Sequence, residues 1–170
     1  QDNDQLFDHY TAEYTFADGT KMLAQGRHLT NCYDFFGDFI QGAKGCAILG
    51  EGQPKPRLFK GQKPTSENQV WSYRGPASDA YQREHDLFFA AIRNNQPYNE
   101  TERCAKSCFT AIMGRMACEC GNQVTWEDAL ASNLELAPGL ESLKSGSQPP
   151  VQPDANGRYP IATPGLTKVI

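Results

Sequence analysis

NETERCAKSCFTAIMGRMACECG, residues Asn99 to Gly121, sets the principal layer of this chain. Ala105, Cys108, Phe109, Ile112, Met113, Met116, Ala117 and Cys120 recur at the spacing of one apolar helix face. Asn99, with Glu102 three positions on, predicts a capped start in a capping-box arrangement, and Gly121 predicts a left-handed C-terminal cap. Gly114 interrupts the stripe at a propensity cost of about 1 kcal/mol, which points to close approach by a neighbouring element. A stripe this wide must be covered, and the residues before it read as strands. The expected fold class is therefore α+β, an open, predominantly antiparallel sheet with about three helices packed on one face.

The strands begin at Tyr10–Ala17, where Tyr10, Ala12, Tyr14 and Phe16 alternate with Thr11, Glu13, Thr15 and Ala17. Asp18-Gly19 predicts a two-residue type I′ hairpin returning through Thr20–Leu29. Further strands are expected at Cys32–Ile40, Cys46–Leu49 and Arg57–Lys60, the first two joined by a sharp turn at Gly42-Ala43-Lys44-Gly45. Short links between consecutive strands give an antiparallel meander. From Gly61 to Ala77 the chain reads as a polar connection anchored by Trp71 and Tyr73.

Asp79 and Gln82 start a second helix, along which Tyr81, His85, Phe88 and Ile92 keep helical spacing. Thr125 and Asp128 start a short third one, TWEDALASN, with Trp126 expected to pin it under the main helix. Beyond this point the composition changes. Pro138, Pro149, Pro150, Pro153, Pro160 and Pro164 are six of the eleven prolines, set among Gly, Ser and polar residues without periodicity. The expected organisation is an α+β domain over 1–140 and a Pro-rich C-terminal arm over 141–170, docked through Tyr159-Pro160, Ile161, Leu166 and Val169.

A length of 170 residues suits one domain with a real core. The net charge of -4, with basic residues scattered, argues against a nucleic-acid partner. No apolar run is long enough to span a membrane. The chain opens on QDNDQ without Met, so a processed or excised piece is expected. Cys32, Cys46, Cys104, Cys108, Cys118 and Cys120 do not have zinc-site spacing and read as soft core filler in a reducing compartment. Cytoplasmic localisation is the expectation, with periplasmic export as the alternative.

No P-loop, G-x-S-x-G elbow or H-E-x-x-H helix occurs, and Gly50-Glu51-Gly52 lacks the rest of a dinucleotide fingerprint. His85 reads as a core histidine, and Glu84 and Asp86 as acids favouring the helix N-terminus. The Asn99-Glu100-Thr101 sequon reads as a helix cap. What remains are polar groups at strand ends. Asp8 and His9 precede the first strand and Arg27 and His28 close the second, so these four are the substrate-facing candidates. A cation beside an imidazole at a strand end suits an anionic or hydroxylated ligand.

YTFADGT, GAKG, YQREHDLFFAAIRNNQPYNE and TAIMGRMACECGNQVTWEDALAS, in that succession, resemble the C-terminal half of the Gfo/Idh/MocA oxidoreductases, the relatives of glucose-fructose oxidoreductase and inositol dehydrogenase. The likeness covers residues 6–140, and PDANGRYPIATPG is similar to the ending of one bacterial branch. The resemblance implies an antiparallel sheet like that of the C-terminal domain of dihydrodipicolinate reductase, with helices on one face and subunit contacts on the other. It implies a separate N-terminal Rossmann domain holding NAD or NADP, a sugar or polyol substrate, and a homo-oligomer formed through the open sheet face. Lys55-Pro56 follows Pro54 and not the Glu of the family's Glu-Lys-Pro motif, and the family's D-x-x-x-H pair would lie before Gln1. By resemblance, then, these residues contain no catalytic group and no cofactor of their own, and the piece alone is expected to be inactive. The alternative reading is a stand-alone, non-enzymatic binding or scaffolding module that associates through its sheet face.

Overall fold

The computed structural model describes residues 5–50, 55–76 and 79–170. Glu51, Gly52, Pro54 and Ala77 of the readings above, and the first four residues, lie outside them. The chain is α+β and gathers into two compact units, Gln1–Thr30 with Glu100–Ile170, and Asn31–Asn99. No helix is long and apolar enough to cross a membrane among the described residues.

The first unit is built on a hairpin of β1 (His9–Thr15) and β2 (Lys21–Arg27), paired antiparallel from His9↔Arg27 to Thr15↔Lys21. Its turn differs from the expected type I′. Phe16 N–H bonds Thr20 O at 2.9 Å and Gly19 N–H bonds Phe16 O at 2.9 Å, which makes a three-residue loop, Ala17-Asp18-Gly19. Gly19 (φ 85) alone in that loop takes positive φ, whereas type I′ needs it at both central residues. The Asp18 carboxylate accepts from Thr20 N–H at 2.9 Å, and that bond holds its pKa below the ordinary value.

The long helix α2 (Thr101–Cys120) lies on this hairpin and ends at Gly121, which is left-handed at φ 70. Its start is one residue later than expected. Glu100 occupies the N-cap position, with no side-chain capping bond, and its carboxylate pairs with Arg103. The stripe is only half covered: Gly114, Met116, Glu119 and Cys120 are buried, while the first two turns are exposed. Met116 and Cys120 form a small core with Ala129 and Val169, against which Phe109, Met113 and Val124 pack. Ala129 comes from α3 (Trp126–Ala131), capped as expected, the Thr125 hydroxyl accepting from Asp128 N–H at 3.1 Å. Trp126 meets Phe109 edge to face at 4.7 Å.

The arm is anchored at its far end. Ser132 Oγ donates to Val169 O at 2.5 Å and Gly165 N–H to Cys120 O at 2.7 Å. Val169 is buried, whereas Leu166, expected to dock, is 79% exposed.

The second unit holds a separate antiparallel sheet in the order β3-β4-β5-β6, with strands Gly37–Gln41, Gly45–Gly50, Arg57–Lys60 and Gln69–Ser72. The single meander expected for the first sixty residues is thus two sheets. The strand expected from Cys32 begins only at Gly37, and Asn31 before it is left-handed at φ 62. Trp71, expected as a loop anchor, lies in β6 and pairs with Leu58. Helix α1 (Ala80–Arg93) starts as expected, Asp79 accepting from Tyr81 and Gln82 N–H at 2.9 and 3.2 Å. Only Ala91 is buried along it. His85 is exposed and not a core histidine, its Nδ1 lying 2.7 Å from Tyr81 O.

Candidate functional site

The hairpin has two unlike faces. Residues opposite one another in an antiparallel ladder share a face. Ala12↔Ala24 and Tyr14↔Met22 turn one way, and His9↔Arg27, Thr11↔Gln25, Glu13↔Leu23 and Thr15↔Lys21 turn the other. Helix α2 packs against the β1 side of the first face, where Ala12 is buried. The Tyr14 hydroxyl donates to Thr110 O at 2.9 Å, and Cys118 Sγ donates to Thr11 O at 3.6 Å. Burial pushes both the Tyr14 phenol and the Cys118 thiol above their ordinary pKa values.

The four strand-end candidates lie at the open end of the hairpin. Arg27 stands directly opposite His9, and the ladder runs one step further through His28 N–H to Asp8 O at 2.8 Å. The Asp8 carboxylate lies 2.6 Å from His9 Nδ1. With the cross-strand guanidinium of Arg27, the group can hold a hydroxylated or anionic ligand. All four residues are exposed, the Asp8 and His9 side chains at 59% and 74%, so the ion pair itself contributes at most about 1 kcal/mol.

Two open cavities of about 560 and 620 Å³ lie elsewhere in this unit, both bordered by Tyr159 of the arm. Sequence reasoning passed over them. The signal was the Asp154-Ala155-Asn156-Gly157 run, whose Asp side chain closes a turn on Asn156 and Arg158 N–H at 2.8 and 2.9 Å.

The second unit carries an apolar row. Ile40 pairs with Ala47, Ala47 with Leu58, and Leu58 with Trp71, so one side chain from each strand lines up across the sheet. Ile40, Leu58 and Trp71 remain 51%, 44% and 48% exposed. On the opposite face Phe59 is buried, with the Arg57 guanidinium over its ring at 5.6 Å.

Among the described residues no strand pairing is parallel. Nor does any group of three or more His, Cys, Asp and Glu among them have the arrangement to hold a metal ion. No protein-family model, curated protein or solved structure matches the chain.

Proposed function

We propose that the chain is the substrate-side and oligomerisation domain of an NAD(P)-dependent oxidoreductase acting on a sugar or polyol, with the dinucleotide held by a separate Rossmann domain. The observation that carries this reading is the placement of Asp8, His9, Arg27 and His28 at the open end of one hairpin, with the Asp8 carboxylate 2.6 Å from His9 Nδ1. A rigid ladder presenting a carboxylate, imidazoles and a guanidinium is suited to bind and orient a polyhydroxylated substrate beside a cofactor supplied from elsewhere. The motifs of the resemblance fall on defined elements: YTFADGT on the β1 strand and its turn, GAKG on the β3–β4 turn, and AIMGRM on the packed half of α2. The six free cysteines accord with a reducing compartment, the cytoplasm.

Titration of NADH fluorescence with the purified chain is the test. No saturable signal is expected; tight binding by these residues alone overturns the reading. The coding sequence upstream of Gln1 provides the complementary check, since a βαβ unit with G-x-G-x-x-G and Glu-Lys-Pro is expected there.

The exposed row of Ile40, Leu58 and Trp71 favours a second reading, a non-enzymatic module that associates through its sheet face. A homo-oligomer formed through that face is common to both readings. Sedimentation velocity should show self-association that Trp71→Lys abolishes; a monomer at all concentrations removes the oligomer from both.

A further inference from the structure

Cys104 and Cys108 lie four residues apart on α2, and the burial expected of them does not occur. Both are free thiols exposed to solvent in the first two turns, whereas Cys118 is half-buried and Cys120 buried further along the same helix. Cysteine is among the residue types most often buried, so packing does not account for two exposed neighbours. The helix fixes their relation. Cys104 N–H bonds Glu100 O at 2.8 Å, and α2 runs unbroken from there to Cys120. Residues at i and i+4 share a helix face, with about 5–6 Å between their Cβ atoms. Two thiolates in line through one ion stand about 4.6 Å apart, twice a metal–sulfur bond of about 2.3 Å, and staggered rotamers of the two side chains reach that span.

The surroundings select the kind of ion. Among the described residues, no third His, Cys, Asp or Glu joins the pair into a metal-holding group. The acids of the preceding turn are engaged, Glu100 with Arg103 and Glu102 with Lys106 at 2.6 Å. Structural zinc takes four ligands in a tetrahedron, and calcium and magnesium take oxygen, so two sulfurs alone suit none of them. Monovalent copper is different. It is soft, favours thiolate over oxygen, and with its filled d shell is satisfied by two ligands in line.

We propose that Cys104 and Cys108 form a two-coordinate thiolate site for monovalent copper on the exposed half of α2. Binding replaces two S–H bonds by two Cu–S bonds and releases both protons, with no change in the oxidation state of the sulfurs or the ion. The site stands on α2 alone and does not rest on the oxidoreductase reading, whose candidates sit on the hairpin.

Anaerobic titration of the reduced whole chain with the coloured Cu(I)–bicinchoninate complex tests it. The chain should withdraw one ion per molecule. Cys104→Ser and Cys108→Ser, both exposed changes, should each weaken binding about a hundredfold or more, since a single sulfur loses the linked second ligand. Cys32→Ser removes an exposed thiol outside the pair and should leave the titration unchanged. In the copper-loaded chain Cys104 and Cys108 should both be protected from iodoacetamide, while Cys32 is labelled at its metal-free rate. Zn²⁺ offered from its complex with 4-(2-pyridylazo)resorcinol should not be taken up. Four outcomes overturn the site: no copper withdrawn, undiminished binding in Cys104→Ser or Cys108→Ser, one ion shared between two chains, or zinc held as tightly as copper.

Discussion

The Tyr14 hydroxyl fills the space that a Cβ on Gly114 would occupy, and from there it donates to Thr110 O at 2.9 Å. A strand and a helix 96 residues apart in sequence are joined at this point, and the missing side chain of Gly114 is what allows it. The glycine's propensity cost is offset by the close contact.

Gly114→Ala should therefore destabilise the chain by about 1–3 kcal/mol, although alanine is the better helix former by about 1 kcal/mol. Tyr14→Phe should cost roughly 0.5–1.5 kcal/mol on its own. Since Tyr14→Phe removes the worse of the two clashing atoms, leaving the ring carbon Cζ at 2.9 Å, the double variant should be less destabilised than the sum. Urea unfolding of the four proteins measures the coupling, and strict additivity would mean that the two residues do not meet.

Alkaline pH should loosen the same layer. Burial raises the pKa of both Tyr14 and Cys118, so the folded state holds their protons longer than the unfolded chain does. Stability from these two groups is full below their unfolded pKa values, about 8.5 for a thiol and 10 for a phenol, and is lost as pH rises through the raised folded values. The melting temperature should fall between about pH 8 and 11. The fall should be shallower in Cys118→Ala, since that variant has one group fewer to ionise.

Thiol labelling should separate the cysteines by environment. Cys32, Cys104 and Cys108 are exposed, Cys118 is part-buried with its pKa raised, and Cys120 lies in the core. Iodoacetamide followed by peptide mass spectrometry should modify the first three fastest and Cys120 last. Labelling of Cys120 at the rate of Cys104 would show that the α2–α3 core is open in solution.

The far end of the arm should be structural. Val169→Ala should cost roughly 1–2 kcal/mol, as a buried methyl-bearing side chain is lost from the cluster with Met116, Cys120 and Ala129. Leu166→Ala, at an exposed position, should change stability by no more than about 0.5 kcal/mol. Thermal melts of the two variants distinguish an anchored end from a loose one.

Loss of the α3 cap by Thr125→Ala should cost about 1 kcal/mol, because Asp128 N–H and the Asp128 carboxylate both bond the Thr125 hydroxyl. Thr125→Ser keeps both bonds and should recover most of the loss in the same thermal melts.

Much of the local structure was written in the residues themselves. Asp79 and Thr125 cap their helices, Gly121 ends α2, and Asp18-Gly19 marks a hairpin, because each of these signals is satisfied by partners within four residues. The exact turn at Ala17-Asp18-Gly19 and the start of α2 at Glu100 were misread, since several short-range arrangements differ by little energy. The positions of Asp8, His9, Arg27 and His28 at strand ends were likewise legible, but their pairing across the ladder was not. That depended on the register of β1 against β2, to which a loop one residue longer than expected contributes.

Tertiary structure alone decided what local signals do not address: that the hairpin and the four-stranded sheet are separate, that only the second half of the α2 stripe is covered, and that Val169 closes the core. The physical reason is distance along the chain. Caps and turns are closed by near neighbours and are specified where they occur, whereas strand pairing and burial join remote residues through many small terms that no single segment contains.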